Sequence, residues 1–97
     1  MNFVYTICLM QVSFDVVKSA LNITERSLSF ERAADFNFET ALIGTDDRRV
    51  YGEVRYVALG YLDDRLHVLC FTETHDGIRV ISFRKANSRE VNRYAST

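Results

Sequence analysis

Two turn signals constrain most of the second half of the chain. Asp63-Asp64 separates the apolar stretch 54–62 from Leu66–Thr72, and His75-Asp76-Gly77 separates that run from Ile78–Arg84. Connections this short join neighbouring strands antiparallel, and Asp-Gly is a strong short-range hairpin signal. The spacing therefore predicts a meander of three strands, with Gln11–Phe14 as a candidate fourth. The chain contains no proline, so nothing bars these strands from central positions. Gly60, inside the first of them, marks a bulge or a close backbone contact.

Helical signals flank the strands. Val16, Val17, Ala20 and Leu21 recur at helical spacing behind Asp15, a suitable N-cap, and predict a helix to about Thr24. Ser29 caps a second helix from Phe30 to about Phe36, with Arg32 where a capping box would place Glu. After the last strand, Asn87 and Glu90 form a capping-box pattern for a third helix, and Val91 and Tyr94 share the side that packs back on the sheet. The expected fold class is α+β: two N-terminal helices and one C-terminal helix packed on a three- to four-stranded antiparallel sheet.

Size bounds the answer further. The 97 residues are read as one domain, 1–97, with a small core. A hydrophobic fraction of 47%, with seven Phe and five Tyr, fits a globular chain rather than a disordered one. No apolar run approaches the roughly 20 residues that a membrane-spanning helix needs. The opening stretch lacks a basic leader and a small-residue cleavage site, so the chain reads as cytoplasmic with no membrane role. Met10 is a second candidate start, which would make residues 1–9 an upstream extension. Cys8 and Cys70 show no metal or redox spacing and read as reduced thiols.

The net charge of −1 hides an asymmetry. Residues 1–47 hold three cations against seven anions; residues 48–97 hold nine cations against six anions, and eight of the nine are arginine. Arginine's planar fork suits phosphate and carboxylate. The same split also fits two halves that pair with each other. Five cations, Arg79, Arg84, Lys85, Arg89 and Arg93, surround the final strand-to-helix corner. Strict alternation puts Ile78, Val80, Ser82 and Arg84 on one face, and Arg79, Ile81, Phe83 and Lys85 on the other.

Several chemistries are poorly supported. His67 and His75 have no partners at zinc spacing, so no metal is expected. There is no nucleophile elbow and no phosphate-cradling glycine loop, and no cofactor is expected. What remains is arginine with Glu, Tyr, Ser and Thr, a set that suffices for metal-free RNA cleavage. The ribose 2′-hydroxyl must lose its proton, the phosphorane must be stabilised, and the 5′-oxygen must be protonated. Glu53 or Glu73 is a candidate base, and Tyr94 or a histidine a candidate acid. The plain alternative for Glu53 and Arg55, two apart on a strand, is a surface pair contributing about 0–1 kcal/mol.

Four blocks in order carry a family resemblance. They are Phe14-Asp15…Lys18…Asn22, then Ser29-Phe30-Glu31-x-Ala33, then Asp47-x-Arg49-x-Tyr51-Gly52-Glu53-x-Arg55. The last and most specific is Ile78-Arg79-Val80-Ile81-Ser82-x-Arg84-Lys85-Ala86…Glu90…Tyr94. Over about residues 11–96 the chain resembles the BrnT family, ribonuclease toxins of bacterial toxin–antitoxin systems. The resemblance implies a compact RelE-like fold, endoribonuclease activity that stops translation, and neutralisation by a BrnA-like ribbon–helix–helix antitoxin. Operator DNA would be contacted only through the antitoxin complex. The resemblance assigns Arg79 and Arg84 to the RNA phosphate. With them, Glu53, Arg55 and Tyr94 form the expected catalytic set, and Arg26, Arg49 and Lys85 are expected RNA contacts. Arg89 and Arg93 are read as solvated, or as contacts to an acidic partner.

One element departs from the family pattern. Glu25-Arg26-Ser27 stands where the family usually has Lys-His-Gly. A permanently charged Arg26 does not shuttle protons, although it still holds phosphate. Two functions therefore stay open: a metal-independent nuclease toxin, and a catalytically weak or inactive binding module of the same fold.

Overall fold

The structure is a computed structural model that describes residues 10–48, 50 and 52–97. Its elements are β1 (Gln11–Phe14), α1 (Val16–Arg26), a 3-10 helix (Phe30–Asp35), β2 (Leu42–Thr45), β3 (Tyr56–Leu62), β4 (Arg65–Glu73), β5 (Gly77–Lys85) and α2 (Ser88–Ala95). The class is α+β. The five strands lie in the order β1-β5-β4-β3-β2.

The meander β3-β4-β5 forms as the turn signals require, with Tyr61 opposite Leu66 and Thr72 opposite Arg79. The expected sheet is wrong in two respects. A fifth strand, β2, pairs antiparallel with β3. The sheet is also mixed rather than antiparallel, because β1 lies parallel to β5, with Ser13 opposite Arg79. β2 escapes a pattern reading because it is four residues long and contains Gly44. A parallel pairing has no local signal at all, since its partners lie in opposite halves of the chain.

The helices also differ from expectation. α1 starts where Asp15 predicts, its carboxylate accepting from the Val17 and Lys18 amides. Its buried residues, however, are Ser19 and Asn22. Val16, Val17 and Leu21, which define the helical periodicity, are 74%, 68% and 57% exposed. Hydrogen bonds explain this inversion. Asn22 Nδ2 donates to the Leu28 and Phe83 carbonyls, both at 2.9 Å, and Ser19 Oγ accepts from the Phe30 amide at 3.0 Å. β1 pairs with β5 only as far as Val80, so Asn22 satisfies a carbonyl on the strand edge that β1 leaves open.

The second expected helix is a 3-10 turn, and it supplies the apolar cover instead. Leu28, Phe30, Ala33 and Phe36 join Leu69, Phe71, Val80 and Phe83 in the main core. Gly60 is a close contact: a Cβ there would lie 2.8 Å from Phe36 Cζ and 2.9 Å from Ala41 Cβ. On the other face of the sheet, Leu59, Leu66, Val68 and Ala86 form a smaller cluster with Tyr94 of α2 packed on it. Among the described residues no helix is long and apolar enough to cross a membrane.

Candidate functional site

The corner between β5 and α2 is built by a bulge and a capping box. Cys70 pairs with Ser82 but Phe71 pairs with Val80, so Ile81 is an extra residue in β5. The bulge corrects the expected alternation. Arg79 opposite Thr72, Ser82 opposite Cys70 and Arg84 opposite Val68 lie on one face. Ile78, Val80 and Phe83 lie on the other, in the main core. Arg79 and Arg84 therefore share the face that carries α2. Four residues of β4 separate their partners, which is roughly 13 Å along the sheet at about 3.3 Å per residue.

Arg84 is held by the cap of α2. Asn87 accepts from the Glu90 amide, and Glu90 accepts from the Asn87 amide at 2.8 Å. The same carboxylate takes both Arg84 Nη atoms, at 2.8 and 2.9 Å. The Arg84 guanidinium, together with the Asn87 amide, pulls the Glu90 carboxyl down to about 2, and Glu90 in turn raises the Arg84 pKa. Arg84 keeps 39% of its side chain exposed.

Arg26 comes to the same place from α1. Arg26, Leu28, Arg84 and Lys85 line one cleft of about 300 Å³. Arg26 Nη1 donates to Asn22 Oδ1 at 2.9 Å and lies 3.7 Å from Glu25. The bond that anchors α1 thus also aims Arg26. Lys85 is exposed, with no ion-pair partner among the described residues.

The other expected residues stand apart from this cleft. Arg79 is exposed in the row of Thr72. Arg55 Nε donates to Glu53 Oε2 at 3.3 Å, in the segment leading into β3. Tyr94 donates its hydroxyl to the Thr40 carbonyl at 2.8 Å and meets Tyr61 edge to face. Glu73 accepts from the Tyr56 hydroxyl at 3.2 Å, which raises the Tyr56 pKa, and Tyr56 stacks on Phe71 toward the main core. Burial, chiefly, holds the His67 imidazole below its ordinary pKa, where it leans on Phe83. Arg49 lies outside the described residues.

Residues that pattern reading missed complete the face. Asp46 is buried and accepts from Arg48 Nε and Nη2, each at 2.8 Å. Burial and the Asp46 charge push the Cys70 thiol up, against Arg55 and Arg48. The only sequence signal for this pair was the two-residue spacing of Asp46 and Arg48. Among the described residues no group of three His, Cys, Asp or Glu could hold a metal.

A family model described as the ribonuclease toxin BrnT, of type II toxin–antitoxin systems, matches residues 14–90. No curated protein matches the chain.

Proposed function

The chain belongs to the BrnT family of ribonuclease toxins of type II toxin–antitoxin systems, and from that premise we propose that it cleaves RNA without a metal. Its fold is of the RelE type, it acts in the cytoplasm, and a BrnA-like ribbon–helix–helix antitoxin neutralises it. Operator DNA is met only through that antitoxin. The observation that carries this reading is the cleft of Arg26, Arg84 and Lys85, three cations from two elements around one opening. Such a set attracts a polyanion and stabilises charge developing on phosphate oxygens.

The chemistry follows from cleft and face together. The 2′-oxygen bonds to phosphorus as the bond to the 5′-oxygen breaks, leaving a cyclic phosphate and a 5′-hydroxyl. Arg84, oriented by Glu90, and Arg26 hold the phosphate in the cleft. Arg79, on the same face, contacts a second phosphate, and Arg49 and Lys85 add outer contacts. Glu53, which pairs with Arg55 outside the cleft, takes the 2′-proton once RNA binding draws it to the scissile phosphate. Tyr94 supplies the proton to the leaving oxygen once its bond to Thr40 opens.

A second reading has its own support. Tyr94, Glu73 and His67 are all engaged away from the cleft, and Arg26 replaces the family's titrating histidine. A binding module that keeps antitoxin or RNA affinity but cleaves weakly fits these bonds. The test is RNA cleavage in EDTA by the wild type, Arg84→Ala and Arg26→His. EDTA-resistant cleavage that is lost in Arg84→Ala supports the nuclease. A folded wild type that cuts nothing, beside an Arg26→His variant that cuts, selects the binding module.

A further inference from the structure

On the sheet face that carries α2, a row of residues separates Arg84 from Arg79. Register sets Arg84 opposite Val68 and Arg79 opposite Thr72, and the row between them is Gly44, Val57, Cys70 and Ser82. A third arginine reaches this row from beyond the end of β2. The Asp46 amide donates to the Arg55 carbonyl at 2.8 Å, so Asp46 extends the ladder past Thr45 and stands in the row of Arg55, Thr72 and Arg79. From Asp46 the chain turns back on itself. The Arg48 amide donates to Asp46 Oδ1 at 3.3 Å, and Arg48 Nε and Nη2 donate to the two oxygens of that carboxylate at 2.8 Å each. The Arg48 charge acts on Cys70 in the middle row and on Arg84 in the row beyond. Arg48 therefore stands over the middle row. The Asp46 side chain is 2% exposed and that of Arg48 is 79% exposed. A closed-off carboxylate thus fixes an accessible guanidinium from behind, as Glu90 fixes Arg84.

We propose that Arg48 is a phosphate-binding residue of the RNA site, with Asp46 as its positioning residue, and that a single RNA strand crosses the sheet face with phosphates on Arg84, Arg48 and Arg79. This rests on the chain being an RNA-binding toxin. The guanidinium fork matches phosphate oxygens in pairs, and one already fixed loses little freedom when the ligand arrives. The buried carboxylate also sets the kind of contribution. Asp46 and Arg48 together carry no net charge, so the pair adds little to long-range attraction. That attraction comes from Arg79, Arg84 and Lys85. Arg48 supplies aimed hydrogen bonds at short range. Neutralising Asp46 therefore has two opposed effects: it makes the face more cationic, and it releases Arg48 from its aim.

The full chain tests this by fluorescence anisotropy with a single-stranded 2′-O-methyl RNA of about ten nucleotides, which has no 2′-hydroxyl to react. Arg48→Ala is expected to raise the Kd about 10-fold. Asp46→Asn is expected to raise it at least about threefold, although the chain gains positive charge. In the Arg48→Ala background the same Asp46→Asn change is expected to lower the Kd, because it then only removes a carboxylate. A loop held for structural reasons alone would weaken binding in both backgrounds. Circular dichroism checks that each variant folds. If Asp46→Asn does not, Arg48→Lys decides in its place: it keeps the charge, cannot match the fork, and is expected to bind at least about threefold more weakly than wild type. Arg48→Ala binding within about twofold of wild type overturns the proposal. So does Asp46→Asn binding as tightly as wild type, or weakening binding in both backgrounds, and so does Arg48→Lys matching wild type. A wild type that binds no RNA overturns this inference together with the reading it rests on. One that cuts RNA but is indifferent to Arg48 loses this inference alone, and one that shows the expected shifts yet cuts nothing loses the nuclease reading alone.

Discussion

Asn22→Ala is expected to be among the most damaging single changes on α1, although it removes only an amide. Asn22 is 5% exposed. Its Nδ2 serves the Leu28 and Phe83 carbonyls, and its Oδ1 accepts from Arg26. Truncation leaves two carbonyls without donors at a buried place. A buried polar group left unsatisfied costs about 1–3 kcal/mol. Two such groups, partly relieved by entering water, give a loss of about 2–4 kcal/mol. For a chain near 100 residues, 1 kcal/mol moves the midpoint by about 4–8 °C, so the expected fall in Tm is about 10–25 °C. Thermal and urea unfolding followed by circular dichroism measure it. Leu21→Ala on the same helix is the control. Its side chain is 57% exposed, and the expected change is below about 0.5 kcal/mol. An ordinary amphipathic helix would rank the two variants the other way. If Asn22→Ala loses less than about 4 °C, or Leu21→Ala loses more than Asn22→Ala, hydrogen bonds do not anchor α1 and the account of its inversion is wrong.

Two further changes follow from the cap and the turn. The folded pKa of Glu90, about 2, lies below its ordinary value of 4.5, so its pairing with Arg84 stabilises the fold above about pH 4.5 and that stability is lost as pH falls toward 2. With the pair partly exposed, the loss is about 1–2 kcal/mol, and Glu90→Gln is expected to flatten the acid limb of urea midpoints measured between pH 5 and 2. Ser27 ends α1 at φ 57°, in the left-handed region that favours glycine, so Ser27→Gly is expected to raise the urea-derived stability by about 0.5–1 kcal/mol. A decrease on that substitution would mean that the serine side chain contributes more than its backbone conformation loses.

What pattern reading recovered is what depends on neighbours in sequence. The turns at Asp63-Asp64 and Asp76-Gly77, the Asp15 cap and the Asn87–Glu90 box are each set within a few residues, and each forms. What it missed depends on distant partners. The bulge at Ile81 has no mark in the alternation, and without it Arg79 and Arg84 fall on opposite faces. Apolar spacing identified α1 but implied that Val17 and Leu21 face inward. Whether an apolar stripe faces in or out is decided by what the opposite side can bind, and here Asn22 finds a strand edge 61 residues away. The arginine corner itself was legible, because Arg84, Lys85 and the α2 cap are contiguous. The arrival of Arg26 was not, since only the fold of α1 against β5 brings it there.

The pairing of β1 with β5 has a consequence for synthesis. Ser13 bonds to the Ile78 carbonyl, 65 residues downstream, and Asn22 to the Phe83 carbonyl, 61 residues downstream. At about 5–20 residues per second, β1 and α1 leave the ribosome roughly 3–13 seconds before their partners exist. Throughout that interval Arg26 has no Arg84 or Lys85 beside it, so the cleft cannot form on a nascent chain. The first helix to emerge is nevertheless the one whose aliphatic side faces outward. A phosphate-binding cleft at this place therefore arises only after the last strand has left the ribosome.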